Sequence, residues 1–260
     1  MTAPQIPRTI LIVESNSPEI TATGQCAATP FVDTLAILDP QIRTRVVAPY
    51  ETLLEEVGEV DGIIFTGSGV TWSVDAPEAA PLRETMERVL DAGVPIWGSC
   101  NGLQLAAVVL GGAVGASPNG QELGLARDMT LTKAGAEHAM MVGRDKGFAV
   151  PCLHRDEVQS LPEGAVLLAG NAHSPVQAMA YEQGGVQFWG TQYHPEMSPR
   201  SVARGLRGYG LFQDRLADLE ALEQAESDAD AAARLGSSMA ELSPTGRARE
   251  LSNWLQLISR

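Results

Sequence analysis

Two apolar periods alternate along the first 110 residues of the chain. RTILIVE (8–14), TRVVAP (44–49), DGIIFTG (61–67) and VPIWG (94–98) are short apolar runs rich in β-branched residues, and they read as strands. Between them lie stretches of helical period. One runs from Pro30 to Leu38. A second, 78–92, puts Leu82, Met86, Val89 and Leu90 on one face, with Gly93 placed to cap it. A third occupies 101–110 and stops at Gly111-Gly112. Strand–helix alternation of this kind predicts a mostly parallel sheet covered by helices on both faces, an α/β fold.

The pattern then changes. Residues 124–133, 147–153, 165–169, 176–182 and 186–193 read as strands joined by turns, expected to extend the same sheet. From 201 onward the period is helical again. LFQDRLADLEALEQAE carries Leu211, Leu216, Leu219 and Leu222 near helical spacing. SPTGRARELSNWLQLI offers Ser243 as an N-cap, Pro244 at the first helical position, and a stripe of Leu251, Trp254, Leu255 and Ile258. The expected organisation is one domain over 1–200 and a helical extension over 201–260. That extension would pack on the domain or at a homodimer interface.

The 260 residues suffice for one sizeable core, and the formal net charge of −14 disfavours nucleic acid and anionic membranes as partners. No run approaches the roughly 18 apolar residues of a membrane span, and the opening MTAPQIPRTILIVES lacks the features of a signal peptide. Three cysteines (Cys26, Cys100, Cys152) do not make a disulfide scaffold, so a cytoplasmic protein is expected. The four histidines show no zinc-protease spacing, and neither metal nor cofactor is expected.

GSCNGLQLA (98–106) sets a thiol on a bend between a strand and a helix. Gly-x-Cys-x-Gly there has the form of a nucleophile elbow, in which backbones come too close for a Cβ at either glycine. The bend puts Cys100 at a helix N-terminus, whose partial positive charge favours the thiolate. The backbone N–H of Asn101 would face a developing oxyanion. A buried, inert cysteine is the alternative. In TQYHPEM (191–197), His194 and Glu196 lean the same way along an extended chain, so the carboxylate can orient the imidazole. A capped turn with a solvated Glu196 is the alternative. FTGSGVTWSV (65–74) is a glycine-rich loop at a strand end, able to donate backbone N–H groups or to serve only as a turn.

Together these segments resemble the class I glutamine amidotransferases, close to the glutaminase domain of GMP synthase. GSCNGLQ matches the family elbow Gly-x-Cys-x-Gly-x-Gln, QYHPE (192–196) its His-Pro-Glu, and LHRDEVQSLPEGAVLLAGN (153–171) a further family segment. The resemblance covers about 8–200 and implies a flavodoxin-like fold. It implies Cys100 as nucleophile, His194 as general base and acid, and Glu196 as orienting carboxylate. It also implies an oxyanion hole from the N–H groups of Ser68 and Asn101, and substrate contacts from Gln104, His154 and Asp156. The reaction implied is hydrolysis of a γ-glutamyl amide through a glutamyl thioester.

The loop departs from the family pattern. Gly69 stands where a proline is usual and Val70-Thr71-Trp72 lengthen it, so that Trp72 either alters the mouth of the pocket where the leaving amine is expected or serves ordinary packing. Asn101 and Arg155 also replace smaller or apolar residues. The chain carries no P-loop and no Ser-Gly-Gly-x-Asp-Ser loop for activating an acceptor. Three roles are compatible with this: a stand-alone hydrolase of glutamine or a γ-glutamylated amine, a glutaminase serving a separate synthetase, and a non-catalytic binding relative. The intact Cys-His-Glu set disfavours the third.

Overall fold

The computed structural model describes residues 7–258; residues 1–6 of the opening segment read for a signal peptide lie outside them. The strands are β1 (Thr9–Val13), β2 (Arg43–Val47), β3 (Gly62–Phe65), β4 (Ile96–Ser99), β5 (Ala113–Ala116), β6 (Glu122–Ala126), β7 (Thr130–Leu131), β8 (Val150–His154), β9 (Asp156–Ser160), β10 (Val166–Gly170), β11 (Ala178–Gln183) and β12 (Val186–Thr191). The helices are α1 (Pro18–Thr21), α2 (Thr29–Leu38), α3 (Ala80–Leu90), α4 (Asn101–Val109), α5 (Lys133–Glu137), α6 (Pro199–Gly208), α7 (Leu216–Gln224), α8 (Ala229–Arg234), α9 (Met239–Leu242), α10 (Pro244–Arg247) and α11 (Arg249–Leu257).

An eight-stranded sheet runs in the order β2-β1-β3-β4-β12-β11-β10-β7. The pairs from β2 through β12 are parallel, and β11, β10 and β7 add antiparallel ladders. Successive strand residues face opposite sides, which splits the apolar runs between two cores. Ile10, Ile12, Ile64 and Trp97 face α2 and α11. Leu11, Val13, Ile63, Phe65 and Ile96 face α3 and α4.

The second half departs from the expected single sheet. β5 pairs with β9 and β6 with β8, each as a separate antiparallel ladder. The run 124–133 is broken at Asp128, whose φ of 52° turns the chain, so that β6 and β7 belong to different sheets. Neither β5 nor β9 has a long apolar run to announce it.

A third apolar cluster joins β6 and β8 to α6, α7, α8 and α9 through Leu125, Leu153, Val202, Leu206, Leu219, Leu222, Ala232 and Leu242. The last predicted helix is two: Ser243 caps α10 through the N–H of Gly246, and the chain restarts at α11. The α11 stripe is buried in the main core, where Trp254 meets Trp97 edge-on and lies where a Cβ on Gly62 would fall. A buried ion pair holds this helix. Arg144 reaches both carboxylate oxygens of Glu250 at 2.7 Å, and Tyr193 Oη donates to Glu250 Oε1 at 2.7 Å. Among the described residues, no helix is long and apolar enough to cross a membrane.

Candidate active site

β3, β4 and β12 are neighbours in parallel register, with Phe65 opposite Gly98 and Thr191 opposite Ser99. The segments that leave these three strands therefore emerge at one carboxyl-terminal edge, where open α/β sheets place their ligands. Gly67 and Ser68 come after β3, Cys100 after β4, and His194 after β12.

Cys100 has φ 50° and ψ −102°, a strained conformation for a residue with a Cβ. The flanking glycines make the bend achievable. A Cβ on Gly98 would lie 2.7 Å from the carbonyl carbon of Gly102, and one on Gly102 would lie 2.5 Å from the carbonyl oxygen of Phe65. Both neighbours are backbone and cannot step aside. The N–H of Cys100 donates to Thr191 O at 2.7 Å, tying the elbow to β12. Among the described residues, the backbone N–H groups of Ser68 and Asn101 have no hydrogen-bond partner.

His194 and Glu196 are both buried, with Nδ1 to Oε1 at 2.6 Å. Ser99 Oγ donates to the other carboxylate oxygen at 3.0 Å and accepts from Trp97 Nε1. Thr34 Oγ1 donates to the Glu196 carbonyl at 3.0 Å. Burial works against the imidazolium, but the Glu196 carboxylate and a hydrogen bond with Cys100 outweigh it and hold His194 well above the usual histidine range. Gly67 is what lets the ring lie there, since a Cβ at that position would fall 2.5 Å from His194 Cε1.

The sequence model of the family described as "Glutamine amidotransferase class-I" matches residues 37–206. The chain belongs to this family. It is thus an enzyme. It is 34% identical over 209 residues to the Pseudomonas γ-glutamyl-L-1-hydroxyisopropylamide hydrolase, an alignment covering 76% of this chain and 70% of that one. It is 37% identical over 154 residues to the GMP synthase of Aquifex aeolicus, covering 58% of this chain but 28% of that protein. The amidotransferase thus spans less than a third of that synthase. A solved glutamine amidotransferase from Thermotoga maritima superposes with a TM-score of 0.69 at 19% identity, over 98% of this chain and 99% of the other. One from Methylobacillus flagellatus gives 0.62 at 21%, over 98% and 93%. These two likenesses concern the fold.

A cavity of about 380 Å³ opens above the Cys100 elbow of the amidotransferase. Ser68, Asn101, Gln104, His154 and Asp156 all line it. Gln104 Nε2 donates to the Asp156 carbonyl at 2.7 Å and to Gln192 Oε1 at 3.1 Å. Both nitrogens of His154 are engaged within the protein, Nε2 with Glu122 Oε2 at 2.9 Å and Nδ1 near the Asp156 carbonyl at 3.1 Å. The Asp156 carboxylate is held by Arg155, whose Nη1 also donates to Thr71 O and so staples the β3 loop to the β8–β9 corner.

Several contributors escape sequence reasoning. Glu122, an acid in the apolar run ELGLA, sits under the pocket and accepts from His154, Asn171 and Gln177. Burial pushes its carboxyl up, but these hydrogen bonds outweigh burial and hold it below the usual range. Cys152 completes this cluster, and the ligand-type atoms of Glu122, Cys152 and His154 lie within 4.8 Å of one another. Burial, and the nearby Glu122, raise the Cys152 thiol well above an ordinary cysteine. Ser99 could have been suspected from its place inside GSCNG. Leu211 shows no such signal: it lies outside α7, in a segment that also brings Tyr209 to the cavity.

Proposed function

We propose that Cys100, His194 and Glu196 hydrolyse a γ-glutamyl amide, with Ser68 and Asn101 as the oxyanion hole and Gln104, His154 and Asp156 shaping the glutamyl end of the cavity. The observation that carries this reading is the buried His194–Glu196 pair, which uses Nδ1 for the carboxylate and leaves Nε2 for chemistry at the Cys100 sulfur. The thiolate attacks the amide carbon, and the N–H groups of Ser68 and Asn101 receive the oxyanion. His194 gives its proton to the nitrogen, the C–N bond breaks, and the amine leaves. The neutral imidazole then takes a proton from water, hydroxide attacks the thioester, and glutamate departs as the thiolate re-forms.

The leaving group is an amine, released without a synthetase. Support comes from the relative named as a γ-glutamyl amide hydrolase, matched over 70% of its length, whereas the GMP synthases are matched over about a third or less. Residues 1–200 form the catalytic domain and 201–260 a helical extension on it. Three unpaired cysteines suit the cytoplasm. The test is glutamate release by purified protein from glutamine and from γ-glutamyl amines, with Cys100→Ala alongside. The expected result is turnover by the wild type alone and a folded, inactive variant. Activity retained by Cys100→Ala excludes the nucleophile; wild-type activity confined to mixtures with a synthetase supports the ammonia-donor role instead.

A further inference from the structure

The family match ends at residue 206, yet the cavity above Cys100 is completed by two residues beyond it, Tyr209 and Leu211. Local chain chemistry sets their place. α6 ends in a left-handed glycine, Gly210 (φ 66°), with Leu211 N–H donating to Leu206 O at 2.8 Å and Gly210 N–H to Arg207 O at 3.0 Å. This is the double closing bond of a glycine-capped helix, and it folds the chain back over the last turn. Phe212 comes next at φ 59°, its ring packed beside Gly124 and covered by the Arg215 guanidinium at 3.9 Å. The turn is thereby pinned, with Tyr209 Oη bonded to Gln25 at 3.3 Å and seated against Gly69.

The wall so formed is apolar. Leu211 joins Leu123 and Leu153, all three partly buried on the C-terminal helical cluster, and lines the same cavity as Val70 and Trp72 of the β3 loop. Trp72 is steadied by Tyr50, which accepts from its indole N–H at 3.2 Å. Apart from Cys100 and the Glu122-bonded His154, the charged side chains among the described lining residues are Arg155 and Asp156, which pair with one another at 2.8 Å. Nothing there would pair with a second cation on the leaving group, and ammonia would leave the apolar wall uncovered.

Resting on the hydrolase reading above, we infer that Tyr209 and Leu211 of the C-terminal extension form, with Leu123, Leu153, Val70 and Trp72, a subsite for the leaving amine. The structure assigns it to uncharged amines bearing an apolar substituent. The substrate class is then a γ-glutamyl amide of an alkyl or aryl amine. Each methylene the wall covers is worth about fourfold in kcat/KM, so a three-carbon amide should exceed glutamine by a few tens-fold.

The experiment measures kcat/KM for glutamine, γ-glutamyl propylamide, γ-glutamyl anilide and the mono-γ-glutamyl amide of 1,4-diaminobutane. It uses the full chain and the variants Tyr209→Ala and Leu211→Ala. The propylamide and anilide should lead, the diamine amide should trail them, and each variant should cut the propylamide-to-glutamine ratio about tenfold. A ratio is insensitive to the folded fraction, so loss of stability cannot mimic the effect. The proposal is overturned by a wild type that prefers glutamine or the diamine amide, or by a ratio unmoved in both variants. Cys100-dependent turnover of glutamine alone overturns this subsite and leaves the hydrolase reading standing, whereas no turnover of any amide overturns both.

Discussion

Gly67→Ala should disable the enzyme while leaving it folded. Gly67 is buried, and its φ lies outside the left-handed region, so alanine brings no backbone penalty. What it brings is a methyl group 2.5 Å from His194 Cε1, 3.4 Å from Nδ1 and 3.5 Å from Nε2. Carbon atoms rest at about 3.5–4.0 Å, so the ring or the loop must retreat by roughly 1 Å. The ring is poorly placed to give way, because Nδ1 is held by Glu196 and that carboxylate by Ser99. A displacement of about 1 Å at a catalytic group costs on the order of a hundredfold in rate. Overpacking of this kind costs about 1–3 kcal/mol of stability, which leaves a typical domain folded. Glutamate release gives kcat/KM, and calorimetry on the same preparation gives the folded state. A variant within threefold of wild type, or one whose lost activity merely tracks its unfolded fraction, refutes the claim that His194 is positioned by the absence of a side chain at 67.

The same geometry sets three other outcomes. A glutamine-analogue electrophile near neutral pH should label Cys100 and spare Cys152, whose thiol burial keeps protonated, and Cys26, held up by burial and by its bond to Glu14; peptide mass spectrometry showing modification of Cys152 first contradicts this. Glu196→Gln removes the charge that holds His194 protonated. Because the folded histidine is raised, the wild-type pair stabilises fully below the unfolded value of about 6.5 and loses that stabilisation as pH climbs through the raised value. The stability gap between wild type and variant should therefore shrink as pH rises, and denaturant melts showing it widen would reverse the assignment. Glu250→Ala strands Arg144 in the core with its partner gone, and should cost about 3–5 kcal/mol; a loss below about 1 kcal/mol by urea unfolding is incompatible with the buried pair.

Alternation of short apolar runs with helical periods was enough to place β1 to β4 and α2 to α4, because those signals are local: a strand buried on both faces has few polar positions, and a covering helix has one apolar stripe. The elbow was legible for the same reason. Gly98 and Gly102 sit within two residues of Cys100, and close backbone approach in so tight a turn permits little else. β5, β9 and the break at Asp128 leave no such local mark: β5 and β9 are not predicted from the sequence at all, and the runs holding β6 and β8 are expected in the one sheet rather than in a ladder of their own.

The residue types for the chemistry and their order along the chain were determined by the amino-acid sequence itself. Their meeting was decided by the sheet, since only the parallel register of β3, β4 and β12 carries Gly67, Cys100 and His194 to one edge. The same holds for their surroundings. Ser99 and Glu196 are 97 residues apart, Thr34 and Glu196 162, and Arg144 and Glu250 106. Pairings at such separations have no periodicity to betray them, because they depend on burial that exists only after the chain has closed on itself. Leu211 shows the limit most plainly: helical spacing grouped it with Leu216 and Leu219, but a glycine cap at 210 and the left-handed Phe212 detach it from that helix and turn it to the cavity.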